Sequence, residues 1–303
     1  MFTTLIKTLE EDKYLTLETT PSHEPTMDPI LNKIEEYGLD KKVAGFSTTD
    51  NPLAKLKYNA MFASVKLQQK FNKPVIATMS MRDKNKIALQ SDLLGGNDFD
   101  IRAVLALTGD PAHMSDQPRA KGVFESNSTM LLEIINSFNN GMDYAGKPFK
   151  SKPKPIYPFS VVNSYAKNMK SLEKKMFKKV SNRTRGIITQ PVYDIENAKQ
   201  LVGYMQNVQN EFYDDRKKSQ IIIGVFPITR LRTAQFLSSH VPGIYVPQDW
   251  IDALAKASHV SIEEEYKVGM ELSLNLLREI QKFHPKIHLM TANKFGVADE
   301  LLQ

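Results

Sequence analysis

Eight short apolar runs recur along the chain, each followed by a longer segment whose apolar residues fall at helical spacing, and this alternation constrains the fold more than any other feature. The runs are Tyr14–Thr19, Val43–Ser47, Pro74–Met79, Ala103–Leu107, Ile156–Val161, Gly186–Thr189, Gln220–Val225 and Ile287–Thr291. The helical segments are Pro29–Tyr37, Leu53–Phe71, Asn85–Leu94, Thr129–Asn139, Met169–Val180, Ile195–Glu211, Leu231–Leu237 and Ile262–Phe283, with a last one near Phe295–Leu302. Such alternation predicts βα units and a parallel sheet. Ile221-Ile222-Ile223 and Val104-Leu105-Ala106-Leu107 are apolar without interruption, as strands are when helices cover both faces. Eight units predict closure into a (β/α)8 TIM barrel of the α/β class, one domain over residues 1–303, a length such barrels commonly reach.

Two connections are long. Gly141–Pro155, with two glycines, three prolines and four lysines, reads as an exposed loop, and Val241–Trp250 as a loop between the helix after the seventh strand and the long helix before the eighth. Hydrophobic residues make up 41%, enough for a sizeable core, and the absence of cysteine excludes disulfides and thiolate chemistry. The net charge of +6 comes from lysines spread over helix faces without interleaved aromatics. An anionic small molecule, such as a nucleotide cofactor or a polyglutamate tail, fits this charge equally well, and nucleic acid is not expected as a partner. Met1–Tyr14 carries Lys7, Glu10, Glu11, Asp12 and Lys13, unlike a signal peptide, and no apolar run approaches the ~20 residues of a membrane span. A cytoplasmic protein is expected, with no membrane partner. The six histidines show no metal-ligand spacing, and His288 reads as a packed, hydrogen-bonded strand residue.

In such a barrel the active site forms at the carboxyl ends of the strands. The residues there are Glu18, Thr49-Asp50-Asn51-Pro52, Thr78 with Arg82-Asp83, Thr108-Gly109-Asp110, Asn163, Thr189-Gln190, Pro227 and Thr291 with Asn293-Lys294. Any one of them alone is more often a helix cap. Their convergence on one mouth is the informative feature. Glu18 and Asp110 would supply a proton donor and an anionic partner held in different environments, although a simple cap by Asp110 ahead of Pro111 is an alternative.

Leu17-Glu18-Thr19-Thr20-Pro21, Thr49-Asp50-Asn51-Pro52, Ile87 to Gly95, Leu105 to Pro111, Ile188 to Asp194, Val241 to Pro247 and His288 to Thr291 resemble the successive signatures of the methylenetetrahydrofolate reductase family. They stand in family order over nearly the whole chain. The central segments are most similar to the acetogen-type and homocysteine-methyltransferase-fused branches. The resemblance implies a barrel that binds FAD at the strand ends, takes a hydride from NADH or NADPH, and passes it to 5,10-methylenetetrahydrofolate to give 5-methyltetrahydrofolate, a step of one-carbon metabolism that supplies methionine biosynthesis. Both substrates would use one flavin face in turn. By motif match Glu18 is the general acid, and Asp110 is the charge near flavin and pterin that favours a cationic iminium. Gln190 contacts folate and nicotinamide in alternation. Thr49, Asp50, Pro52, Thr78, Thr108, Gly109, Asn163 and Ala166 match flavin-contacting positions. Lys179 matches a phosphate-binding lysine, although a solvated helix face is the alternative. Thr233 and Lys294 match folate-binding positions.

The chain departs from the family at several of these places. Thr78 replaces a histidine, Leu172 and Lys175 stand where some members have Asp and Asn, and Arg183-Thr184 replaces Gly-Ala. These changes are expected to cluster around the dinucleotide. Lys294 replaces an arginine and Thr233 an amide, which predicts a less directional hold on the glutamate tail. The rival expectations are a folate- or pterin-binding barrel without redox activity, methyltransferase-like or a partner subunit, and a flavin-independent relative. The sequence leaves a homo-oligomer or a partner subunit open.

Overall fold

In the computed structural model, residues 1–11 and 13–303 are described; Asp12 of the opening segment lies outside them. Eight parallel strands, β1 (Tyr14–Thr19), β2 (Gly45–Thr48), β3 (Val75–Ser80), β4 (Ala103–Leu107), β5 (Tyr157–Val162), β6 (Gly186–Pro191), β7 (Gln220–Val225) and β8 (Lys286–Leu289), pair in chain order and close as a barrel. The seam joins β1 to β8, with Tyr14 opposite Lys286 and Leu17 opposite Leu289. The (β/α)8 architecture expected from the apolar runs is the one observed. Each strand lies within about two residues of its expected place, inside the margin by which any boundary assignment varies.

The helices are α1 (Phe2–Glu11), α2 (Asp28–Glu36), α3 (Leu39–Lys42), α4 (Ala60–Phe71), α5 (Lys86–Asp98), α6 (Ser128–Asn139), α7 (Lys170–Ser181), α8 (Ile195–Asn210), α9 (Leu231–His240), α10 (Gln248–Ser258), α11 (Ile262–Phe283) and α12 (Phe295–Leu301). Side chains alternate across the barrel wall. Leu17, Phe46, Val75, Ile187, Ile221, Ile223 and Leu289 face outward and pack with helix residues such as Leu67, Leu172, Met176, Leu201 and Leu277. Ile76, Ala103, Leu105, Phe159, Ile188 and Ile222 face inward and form a second core with Phe2, Leu5, Ile6 and Leu9 of α1. That helix closes the amino-terminal end of the barrel. Lys286 donates to the Leu9 carbonyl there, and Arg102 lies over the Phe2 ring at 5.3 Å. With one end plugged, a ligand has the other end to enter. No helix among the described residues is long and apolar enough to cross a membrane.

Three expectations need correction. Helix α1 was not foreseen, although Phe2, Leu5, Ile6 and Leu9 follow helical spacing. The segment Leu53–Phe71 is not one helix: Pro52–Ala54 forms a 3-10 turn with Leu53 and Ala54 at φ +56, and α4 starts only after Asn59, whose side chain accepts from Phe62 N at 3.1 Å. The region read as a loop to Trp250 ends in a helix, because Trp250, Leu254 and Ala257 of α10 form an apolar stripe that is buried. The Gly141–Pro155 loop is as expected, irregular apart from an isolated bridge between Met142 and Pro148.

Candidate active site

A cavity of about 520 Å³ opens at the carboxyl ends of the strands, within the size range of small-molecule sites. Its floor comes from the seam of the barrel. Glu18 points inward from β1, with 22% of its side chain exposed, and His288 of β8 lies beneath it. The imidazole is buried. Its Nδ1 is 2.8 Å from Thr16 Oγ1, and its Nε2 is 3.4 Å from Ser47 Oγ and 3.8 Å from Glu18 Oε2. Asn293 clamps the loops above this seam by exchanging hydrogen bonds with the backbone of Thr20, at 2.9 and 2.6 Å.

One wall is built by β2, β3 and β4 and is rich in charge. Asp50 is buried and accepts from Ser80 N at 2.9 Å. Burial raises its proton affinity above that of an ordinary carboxylate, against the opposing pull of Lys84 and the Ser80 N–H. Lys84 lies 4.0 Å from Asp50 and 2.7 Å from Asp92; burial opposes its charge, but these carboxylates outweigh it and hold the ammonium above its usual range. Arg82 forks onto Asp83 at 2.6 and 2.7 Å and donates to the Asn51 carbonyl at 2.9 Å. Asp110 does not cap the turn after it. Its Oδ2 accepts from Leu53 N at 2.7 Å, tying the end of β4 to the left-handed turn after β2. α4 begins only beyond this turn, after the Asn59 cap. Gly109 is required beside it: φ is +94, and a Cβ would approach Arg82 Cβ to 2.9 Å and Ser80 Cβ to 3.2 Å.

The opposite wall comes from β5, β6 and α7. Between β6 and β7 the register slips from Ile188 to Pro191, a bulge that turns Gln190 into the cavity. Gly224 permits it, since a Cβ there would lie 2.3 Å from the Thr189 carbonyl oxygen, and Thr189 Oγ1 accepts from Gly224 N at 2.9 Å. Asn163 lines the cavity, and the loop after it is braced by the Gly243 carbonyl, which accepts from Tyr165 N at 2.9 Å and Ser164 Oγ at 3.2 Å. Lys175 and Lys179, one helical turn apart on α7, also reach the cavity, near Ser128 at the start of α6. Neither lysine has a carboxylate partner among the described residues. Burial, then the charges of Lys175 and Lys178, lower Lys179 to about 8.

Of the expected site residues, Glu18, Thr49, Asp50, Pro52, Thr78, Thr108, Gly109, Asp110, Asn163, Lys179 and Gln190 line this one cavity. Ala166, Thr233 and Lys294 do not line it. Ala166 N meets Met169 Sδ at 3.4 Å, Thr233 sits in the first turn of α9, and Lys294 is exposed at the start of α12. The departures from the family pattern do not cluster either: Thr78 and Lys175 line the cavity, Leu172 is in the core, and Arg183-Thr184 lie before β6 at the opposite end of the barrel. His288, Ser80 and Lys175 belong to the cavity and were not among the expected site residues. The inward alternation of β8, two residues before Met290, was the signal for His288. Thr49 Oγ1 and Ser80 Oγ are buried without a hydrogen-bond partner, so this wall has polar capacity for a bound molecule. No group of three metal-ligating side chains is present among the described residues.

The family model for methylenetetrahydrofolate reductase matches residues 4–303. No curated protein matches the chain. Among solved structures, a Clostridium thermocellum protein that binds two copies of 5-methyl-5,6,7,8-tetrahydrofolic acid superposes with a TM-score of 0.65 at 15% identity, over 99% of this chain and 96% of its own. DmoA from Hyphomicrobium sulfonivorans gives 0.53 at 8% identity, over 95% of this chain and 85% of its own. The long-chain alkane monooxygenase LadA gives 0.54 at 9%, over 95% and 89%. At such identities the structural likenesses show the fold alone. The family match spans nearly the full length, and the chain belongs to the methylenetetrahydrofolate reductase family.

Proposed function

We propose that this protein is a flavin-dependent reductase that converts 5,10-methylenetetrahydrofolate to 5-methyltetrahydrofolate with NADH or NADPH, in the cytoplasm. The observation that carries the proposal is the meeting of Glu18, Asp110 and Gln190, from β1, β4 and β6, around one cavity. The fit to a flavin dinucleotide rests on the two unpartnered buried hydroxyls of Thr49 and Ser80 and on two lysines without carboxylate partners, Lys175 and Lys179. The lysines would meet phosphate, while Thr49, Asp50, Pro52, Thr78, Thr108, Gly109 and Asn163 would surround the rest of the cofactor. FAD, when bound, would carry the hydride from nicotinamide to folate. A folate ligand is also in keeping with the Clostridium thermocellum neighbour, which binds methyltetrahydrofolate.

Glu18 would give its proton to one nitrogen of the methylene bridge. The C–N bond there breaks with its electron pair going to that nitrogen, the other nitrogen forms the iminium, and the hydride adds to its carbon. Asp110, on the charged wall of β2, β3 and β4, would place negative charge where the iminium forms. The Gln190 amide both donates and accepts, and so can serve the nicotinamide and the pterin in turn. Thr233 and Lys294 lie outside the cavity and would act only on the outer part of a long substrate, the glutamate tail. Glu18→Gln tests the assignment. Folate reduction should collapse while NAD(P)H still bleaches bound flavin; undiminished folate turnover would overturn it. A binding barrel without redox activity predicts neither bleaching nor turnover.

A further inference from the structure

The barrel places one basic side chain directly against Glu18. His288 lies opposite Thr16 in β1 and Gly224 in β7, so its ring points into the barrel, where 1% of the residue is exposed. Among the described residues no lysine or arginine pairs with the Glu18 carboxyl, whereas His288 Nε2 stands 3.8 Å from Oε2. The other groups facing the imidazole are Thr16 and Ser47, with Tyr14 and Lys286 one layer below.

The hydroxyls decide which ring nitrogen carries the hydrogen. Thr16 is fully buried, and its hydroxyl is hydrogen-bonded to Nδ1 at 2.8 Å. If Nδ1 held the hydrogen, the Thr16 O–H would have to turn to the Tyr14 phenol below it, whose own buried hydrogen would then lack an acceptor, and a buried unsatisfied donor is costlier than an unfilled lone pair. Thr16 therefore donates and Nδ1 accepts. The hydrogen is then on Nε2, directed toward Ser47 Oγ and Glu18 Oε2. The separation of 3.8 Å is longer than a hydrogen bond. A small torsional adjustment of the partly exposed Glu18 side chain closes it, as catalytic contacts do when a ligand arrives.

We propose that His288 is the positioning residue of Glu18: its Nε2–H engages Oε2, so that the transferable proton sits on the other carboxyl oxygen, turned toward the cavity. The proposal rests on Glu18 being the acid of the reductase described above. A carboxylic acid without such a neighbour can carry its proton on either oxygen and aim it at the barrel floor. A fixed N–H beneath Oε2 removes that arrangement, because two hydrogens would then face each other. The same N–H stabilises the carboxylate that remains after the proton has moved to the folate nitrogen. His288 acts through Glu18 and touches no substrate atom.

Nitrogen NMR of the imidazoles in the full chain without added cofactor tests the geometry, with His288 identified by the loss of its signal in His288→Gln. The expected state has the hydrogen on Nε2, and Glu18→Gln shifts that resonance alone among the six histidines. In turnover, His288→Leu should slow folate reduction about tenfold more than nicotinamide oxidation, a fraction of what a general acid itself contributes. His288→Gln, whose amide N–H reaches the same space, should recover most of that loss. A hydrogen on Nδ1, an Nε2 signal blind to Glu18→Gln, or a His288→Leu enzyme that slows folate reduction and nicotinamide oxidation alike would each overturn the proposal. If Glu18→Gln leaves folate turnover intact, the reductase assignment fails and the coupling of the two side chains is judged by the NMR result alone.

Discussion

Replacing Lys179 with methionine should stabilise the protein when no anion is bound and weaken its hold on a phosphate-bearing cofactor. Burial and the neighbouring Lys175 and Lys178 lower the ammonium from 10.5 to about 8, so at neutral pH it is still charged but held at a disadvantage. That disadvantage is at most roughly 3.5 kcal/mol at ~1.4 kcal/mol per tenfold change in proton affinity. Partial exposure to water screens it to about 1–2 kcal/mol. A phosphate oxygen within ~4 Å would return about 4 kcal/mol at an effective dielectric of ~20, enough to reverse the preference. The folded value lies below the unfolded one, so the penalty is fully present below about 8 and vanishes as pH rises toward 10.5. Methionine keeps the apolar stem and removes the charge. Urea denaturation followed by circular dichroism should show Lys179→Met more stable by about 1–2 kcal/mol at neutral pH, with the gap closing in alkali. With FAD added, the wild type should become the more stable of the two. A variant that is less stable without ligand, or a gap independent of pH, would refute the reasoning.

Phe2→Ala should open the amino-terminal plug and cost about 3–5 kcal/mol in urea denaturation, because the ring is fully buried in the inner core. Asp110→Ala should lose the bond to Leu53 N and about 1 kcal/mol of stability, whereas Asp110→Asn keeps an acceptor and loses less; folate turnover should fall in both, since each removes the charge. His284, buried against the Ile221 carbonyl, is lowered from 6.5 to about 4, chiefly by burial. Its contribution is present above 6.5 and lost as pH falls toward 4, so His284→Gln should lessen acid sensitivity over that window by up to about 3 kcal/mol in acid titrations of stability.

The barrel was legible because the strands are buried on both faces, and their apolar runs stand out however the helices pack. Helices α1 and α10 were harder to read: each is short, and each is stabilised by the surface it covers, the barrel floor for Phe2 and Leu9 and the side of α11 for Trp250 and Leu254. The turn that precedes α4 is tied at Leu53 N to Asp110, fifty-seven residues away, a contact no local pattern contains. The site followed the same division. Residues at strand ends, such as Glu18, Thr108 and Gln190, were brought together by the topology. Ala166, Thr233 and Lys294 lie farther out on loops and helix starts, where position depends on packing beyond the strand. His288 is part of the cavity because the β1–β8 register sets it opposite Thr16, and that register appears only on closure.

The visible spectrum of the purified protein, supplemented with FAD and freed of excess, tests the central claim most directly. Oxidised-flavin bands should bleach on addition of NADH or NADPH and return on addition of 5,10-methylenetetrahydrofolate, with 5-methyltetrahydrofolate as the product. A protein that retains no flavin, or whose bleached flavin is not restored by the folate, would contradict it.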